Sequence, residues 1–150
     1  MNKRLSQEYE RDDKGYVIIK EGKHKFTEER VKVYGDAVVV VRGRSVVEAY
    51  DSSKVYAHDS SIIYAFNSSN AYAFNSSLVY AHDSSYAYAY DSSYAYAYDS
   101  SDAYAYDSSL VYAHDSSNAY AYDSSLVYAY DSSETRLHDN AKIVVDGRRV

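Results

Sequence analysis

Residues 49–136 read AYDSSKVY, AHDSSIIY, AFNSSNAY, AFNSSLVY, AHDSSYAY, AYDSSYAY, AYDSSDAY, AYDSSLVY, AHDSSNAY, AYDSSLVY and AYDSSETR. Every octad has the form Ala, aromatic or His, Asp or Asn, Ser, Ser, variable, small apolar, Tyr, and only the last one drifts. Weaker octads flank the run: VYGDAVVV from Val33, VRGRSVVE from Val41 and LHDNAKIV from Leu137. Repetition at a short fixed period is the mark of a stacked architecture, in which each unit buries its apolar face only against its neighbours.

Side chains of a strand alternate between faces. Within variable–apolar–Tyr–Ala–aromatic, the apolar position and Ala share one face; the other three positions share the opposite one. The variable position holds Lys54, Asp102 and Glu134, which are almost never buried unpaired. Val and Ala therefore point inward and the tyrosines outward. Burying the tyrosines instead would strand many phenolic hydroxyls without partners.

The true period is sixteen. Alternate octads place Lys54, Asn70, Tyr86, Asp102, Asn118 and Glu134 at the variable position; the intervening octads place Ile62, Leu78, Tyr94, Leu110 and Leu126 there. One set is polar and the other apolar. Two unlike octads make one flattened coil of two strands, turned at Asp/Asn-Ser-Ser corners, where short polar side chains bond nearby backbone. The fold expected is all-β, a β-solenoid (β-helix) with 16-residue, two-stranded coils and outward Tyr ladders. Roughly seven coils at ~4.8 Å would give a rod about 35 Å long. The paired serines are expected to ladder from coil to coil. Residues 1–29 read as an N-terminal arm and capping segment, with 1–15 a flexible arm or short helix, and 30–150 as the solenoid. Asp146-Gly-Arg-Arg149 departs from the repeat, and its like charges discourage end-to-end stacking.

Composition narrows the function. The chain has 150 residues, 21 of them Tyr, with no Pro, Cys or Trp and a net charge of −6. Absent cysteine excludes a disulfide scaffold, and the acidic balance opposes nucleic acid as a partner. No apolar run approaches the ~18 residues of a membrane span. The opening MNKRLSQEYERDDKG lacks the apolar stretch of a secretory signal, which points to the cytoplasm.

The chemistry of the repeat is that of a scaffold. His58, His82, His114 and His138 fall at the second octad position, as substitutes for Tyr. His82 and His114 lie two coils apart, roughly 9–10 Å, too far for one zinc ion with ligands at about 2.0–2.1 Å. Adjacent His, Asp and Ser in AHDSS do not make a triad, since roles come from geometry. The Asp columns lack the glycine-rich nonapeptide of calcium-binding solenoids. Neither catalysis, a cofactor nor a metal is expected.

Two outward surfaces result. One carries a tyrosine column, Tyr56 to Tyr120, beside the polar variable set. The other sets Ile62, Leu78, Tyr94, Leu110 and Leu126 beside Tyr64, Tyr80, Tyr96, Tyr112 and Tyr128, flanked by Phe66, His82, Tyr98, His114 and Tyr130. This apolar surface is expected to exceed the few hundred Å² usual on a monomer, and to pair with itself as a two-fold homodimer. The expected function is a non-catalytic structural or assembly module. An ice-binding or ice-nucleating module and a carbohydrate- or surface-binding module are the alternatives, with ice or a glycan surface as partner.

From Ala49 to Arg136, the octads and their pairing into sixteen resemble the repeats of bacterial ice-nucleation proteins. Those combine Ser-containing turns with a Tyr ladder on a β-solenoid. The resemblance implies that fold and Tyr-mediated assembly. The family also presents outward Thr-x-Thr rows that arrange water; here the corresponding stretch is variable–apolar–Tyr. The pattern equally resembles bacterial repeats of the AYDSATV kind.

Overall fold

A computed structural model describes residues 8–145 and the backbone of 148–149. All of its regular structure is strand. One ten-stranded sheet runs in the order β1 (Val17–Ile19), β3 (Arg30–Val33), β5 (Val46–Ala49), β7 (Ile62–Ala65), β9 (Leu78–Ala81), β11 (Tyr94–Ala97), β13 (Leu110–Ala113), β15 (Leu126–Ala129), β17 (Lys142–Val145) and β18 (Arg148–Arg149). An eight-stranded sheet runs β2 (Lys23–Thr27), β4 (Val38–Arg42), β6 (Lys54–Ala57), β8 (Asn70–Ala73), β10 (Tyr86–Ala89), β12 (Asp102–Ala105), β14 (Asn118–Ala121) and β16 (Glu134–Leu137). We call these the odd and even sheets. From β1 to β17 the chain crosses from one to the other between successive strands. Neighbouring strands within each sheet are parallel, apart from antiparallel β18. The result is a β-solenoid of about eight turns.

The turn count exceeds seven because β1 and β2 already form a coil. Val17 pairs with Val31, a step of 14, and Lys23 with Val38, a step of 15. From Arg30 beside Val46 onward the step is 16. This first coil carries none of the octad residues, so repetition could not reveal it.

The interior is thin and uniform. Val39, Val55, Ile63, Val79, Val111 and Val127 are fully buried, as is a run of alanines from Ala49 to Ala121. The larger inward residues sit mainly on the odd sheet; Ala71, Ala87, Ala103 and Ala119 hold the matching positions on the even one. Large facing small keeps the two sheets at one separation.

Corners carry the turn chemistry. From Asp51 to Asp139, the Asp or Asn of each octad has φ of 55–66°, a left-handed conformation that these two residue types tolerate better than other non-glycine residues. In the two preceding octads Gly35 (φ 63°) and Gly43 (φ 69°) take that place. Each Asp or Asn side chain accepts a hydrogen bond from the backbone N–H one coil earlier, from Gly35 N–H to Asp51 through Asp107 N–H to Asp123. The second serine of each octad is buried to 0% exposure from Ser45 to Ser125. Its hydroxyl donates to backbone carbonyls, as Ser93 Oγ does to Tyr90 O (2.6 Å) and Ala73 O (3.1 Å). The expected coil-to-coil serine ladder thus takes the form of hydroxyl-to-carbonyl bonds, each carbonyl lying in the preceding coil. The Ser53, Ser77 and Ser117 hydroxyls occupy the same position without a partner.

The ends differ. At the N-terminal end Tyr9 packs edge-on against His24 and Phe26, Arg11 grips Glu29 through two hydrogen bonds, and Lys32 bridges Asp12 and Glu48. Residues 8–16 thus close that end as turns and a bridge from Arg11 to Val17. No helix forms among the described residues; residues 1–7 lie outside them, as do the side chains of 146–150. At the other end the inward Leu137 and Val145 are exposed.

Candidate functional site

Strand register makes each outward position a column. Four columns are aromatic: Tyr56 to Tyr120 on the even sheet, Tyr64 to Tyr128 on the odd sheet, and two corner columns, Tyr34 to Tyr130 and His58 to His138. Tyr72 and Tyr88 illustrate the geometry, with centroids 4.6 Å apart and planes 8° apart. Rings so stacked cover one another's faces and leave edges and hydroxyls at the surface. Desolvation within the stack raises the pKa of several of these phenols, Tyr104 and Tyr112 among them. Tyr88 is pushed up to about 12 by burial and by its ring neighbours. Tyr50 also reaches about 12, through burial and then its hydrogen bond to Glu48.

The ten residues singled out in the sequence fall together. Ile62, Leu78, Tyr94, Leu110 and Leu126 form one outward column on β7, β9, β11, β13 and β15. Tyr64, Tyr80, Tyr96, Tyr112 and Tyr128 form the next. No charged residue stands at any outward position of these five strands. Charges bound the band: Arg30, Lys32 and Glu48 on one side and Lys142 on the other. The surface is more self-covered than its composition suggests. Tyr94 is 42% exposed, whereas the other nine are half-buried because each shields the next. Five strands and three columns span an area on the order of 400 Å².

The even sheet is different. Its outward variable column reads Lys23, Val38, Lys54, Asn70, Tyr86, Asp102, Asn118, Glu134 in spatial order. Asn118 Nδ2 donates to Asp102 Oδ1 at 2.8 Å. Near the capped end, Lys25, Phe26, Thr27, Val40 and Arg42 line a groove of about 230 Å³, smaller than the roughly 300–1,000 Å³ of ordinary ligand pockets.

The histidines take ring positions. His82 stacks between Phe66 and Tyr98, and His114 between Tyr98 and Tyr130. Their Nδ1 atoms lie 3.7 and 3.9 Å from Asp99 and Asp131. No set of three or more His, Asp or Glu among the described residues is placed to hold a metal ion, and no helix there is long and apolar enough to cross a membrane. No known protein family, curated protein or solved structure matches the chain.

Proposed function

We propose that this protein is a non-catalytic structural module that joins copies of itself through the odd sheet. The observation that carries the reading is the uncharged band: ten outward positions on five consecutive strands, two columns wide, without one ionic group. A flat apolar band loses its ordered water on meeting an identical band, and two-fold pairing satisfies both copies with one contact. Its modest size sets the strength. Even with the full sheet engaged, the interface sits at the low end of specific contacts, so the expected dissociation constant is on the order of micromolar.

A sugar-binding platform is less well supported, since stacking on a sugar ring needs an open aromatic face and these columns offer edges. An ice-binding reading rests on the sequence resemblance and the regular face, without Thr rows.

Leu78→Lys with Leu110→Lys places two charges inside the band at outward positions that leave the core intact. Light scattering after size-exclusion chromatography in high salt is expected to find a dimer for the unmodified chain and a monomer for the variant. Equal masses would refute the reading.

A further inference from the structure

We propose that the even sheet is a second self-interface, joining two copies face to face and antiparallel through a charge pattern that is its own complement. The variable column carries two cations in its first three coils, Lys23 and Lys54, and two carboxylates in its last three, Asp102 and Glu134. Val38, Asn70, Tyr86 and Asn118 between them are neutral. Counting coils from the capped end, the cations stand at the first and third and the carboxylates at the sixth and eighth. A two-fold axis along the strand direction carries the first coil onto the eighth and the third onto the sixth. Lys23 then meets the second copy's Glu134, and Lys54 meets its Asp102. Symmetry doubles this to four ion pairs.

These groups are free to do so. None of the four makes an ion pair among the described residues, and Lys23, Lys54 and Glu134 are exposed. The Asn118 amide holds the Asp102 carboxylate in the column. In the adjoining column Tyr56 meets Tyr104, Tyr72 meets Tyr88 and Val40 meets Tyr120. At each rim Lys25 comes opposite Arg136, a like-charge contact that offsets part of the Lys23–Glu134 attraction and leaves Lys54–Asp102 as the stronger pair.

Other arrangements fit worse. A two-fold axis along the rod would lay each variable residue against the corner column of its own coil, where Lys23 finds Thr27 and Lys54 finds His58, with no carboxylate opposite either lysine. A polyanion would match the lysine half and be repelled by the carboxylate half. The partner must carry the reverse order of charge along the same length, and an antiparallel second copy supplies it. The inference does not depend on the apolar-band reading. Together, two isologous contacts on opposite faces give open ribbons instead of a closed dimer.

The test uses the Leu78→Lys/Leu110→Lys chain, in which the odd sheet is disabled. At low salt this chain is expected to dimerise, and added salt to dissociate it. Within that background, Lys23→Glu/Lys54→Glu makes the column wholly acidic and Asp102→Lys/Glu134→Lys makes it wholly basic. Each variant alone is expected to bind itself roughly ten- to a hundredfold more weakly, while an equimolar mixture forms a heterodimer. Circular dichroism melts check that the fold is retained, above all for the half-buried Asp102. A monomeric background chain at low salt, dimerisation indifferent to the charge reversals, or a mixture that stays monomeric would each overturn the proposal. Failure of the apolar-band reading shows separately, as an unchanged mass of the Leu78→Lys/Leu110→Lys chain in high salt.

Discussion

The odd and even sheets are made from one octad. They share alanines underneath, serines at the corners, a stacked tyrosine column on top, and a strand step of sixteen. They part at one outward position, which is aliphatic or Tyr from Ile62 to Leu126 on the odd sheet and mostly polar from Lys54 to Glu134 on the even one. The inward neighbour follows: Ile63, Val79, Val111 and Val127 on the odd sheet, Ala71, Ala87, Ala103 and Ala119 on the even. The difference separates two tasks. Corners, core and rings hold the rod together and are common to both sides; the variable column sets what each side meets. Substitutions in the shared parts are therefore expected to affect both sheets alike, and substitutions in the variable column to affect association on one side only.

The largest expected effect breaks the symmetry outright. Two lysines at Leu78 and Leu110 are expected to weaken odd-sheet dimerisation at least about a hundredfold, since each leucine, half-buried already, loses roughly half of the 1.5–3 kcal/mol of full burial in each copy. The matched pair on the even sheet, Asn70→Lys and Asn118→Lys, is expected to leave the high-salt dimer untouched. A dimer equally sensitive to both pairs would erase the distinction between the faces.

Corner substitutions come next and test what is shared. Asp91→Ala removes the acceptor for the Asn75 N–H and leaves a Cβ in left-handed backbone. A loss of about 2–3 kcal/mol is expected on chemical denaturation. Asp91→Gly relieves the backbone strain and is expected to lose about 1 kcal/mol. Asp99, at the opposite corner, accepts the Asp83 N–H in the same way and is expected to give the same pair of values. Smaller still is the loss of one ring. Tyr96→Leu and Tyr88→Leu each sacrifice two stacking contacts, about 1–2 kcal/mol of stability. Tyr96→Leu alone is expected to alter the high-salt dimer.

The smallest effect is a matter of pH. A phenol is an acid whose neutral form the stack favours, so its folded pKa lies above the unfolded value near 10. The corresponding stability is present below pH 10 and drains away as pH rises through about 12, where Tyr88 and Tyr50 ionise. Absorbance titration of tyrosinate in the folded chain is expected to lag behind that of the unfolded chain. Coincident curves would mean that the rings are not stacked.

Period two and period sixteen put the all-β class, the inward alanines, the outward rings and the unlike faces within reach of sequence alone. Charge at Lys54, Asp102 and Glu134 decided which face was outside. What escaped was whatever repetition does not encode. The coil of β1 and β2 steps by 14 and 15, so it shares no octad with the rest. The cap relies on single contacts, Tyr9 on Phe26 and Arg11 on Glu29, between segments that no periodicity links. The direction of the serine hydroxyls depends on which carbonyl lies within about 3 Å, a matter of corner geometry. The charge order along the even sheet was visible only once β2 and β4 joined its column, because Lys23 lies outside the repeat.

Sedimentation equilibrium of the unmodified chain, in salt concentrated enough to screen every ion pair, puts the odd-sheet contact to its plainest trial. An apolar band between copies predicts a monomer–dimer equilibrium whose dimer share grows with concentration through the micromolar range. A single monomeric mass across that range would contradict it.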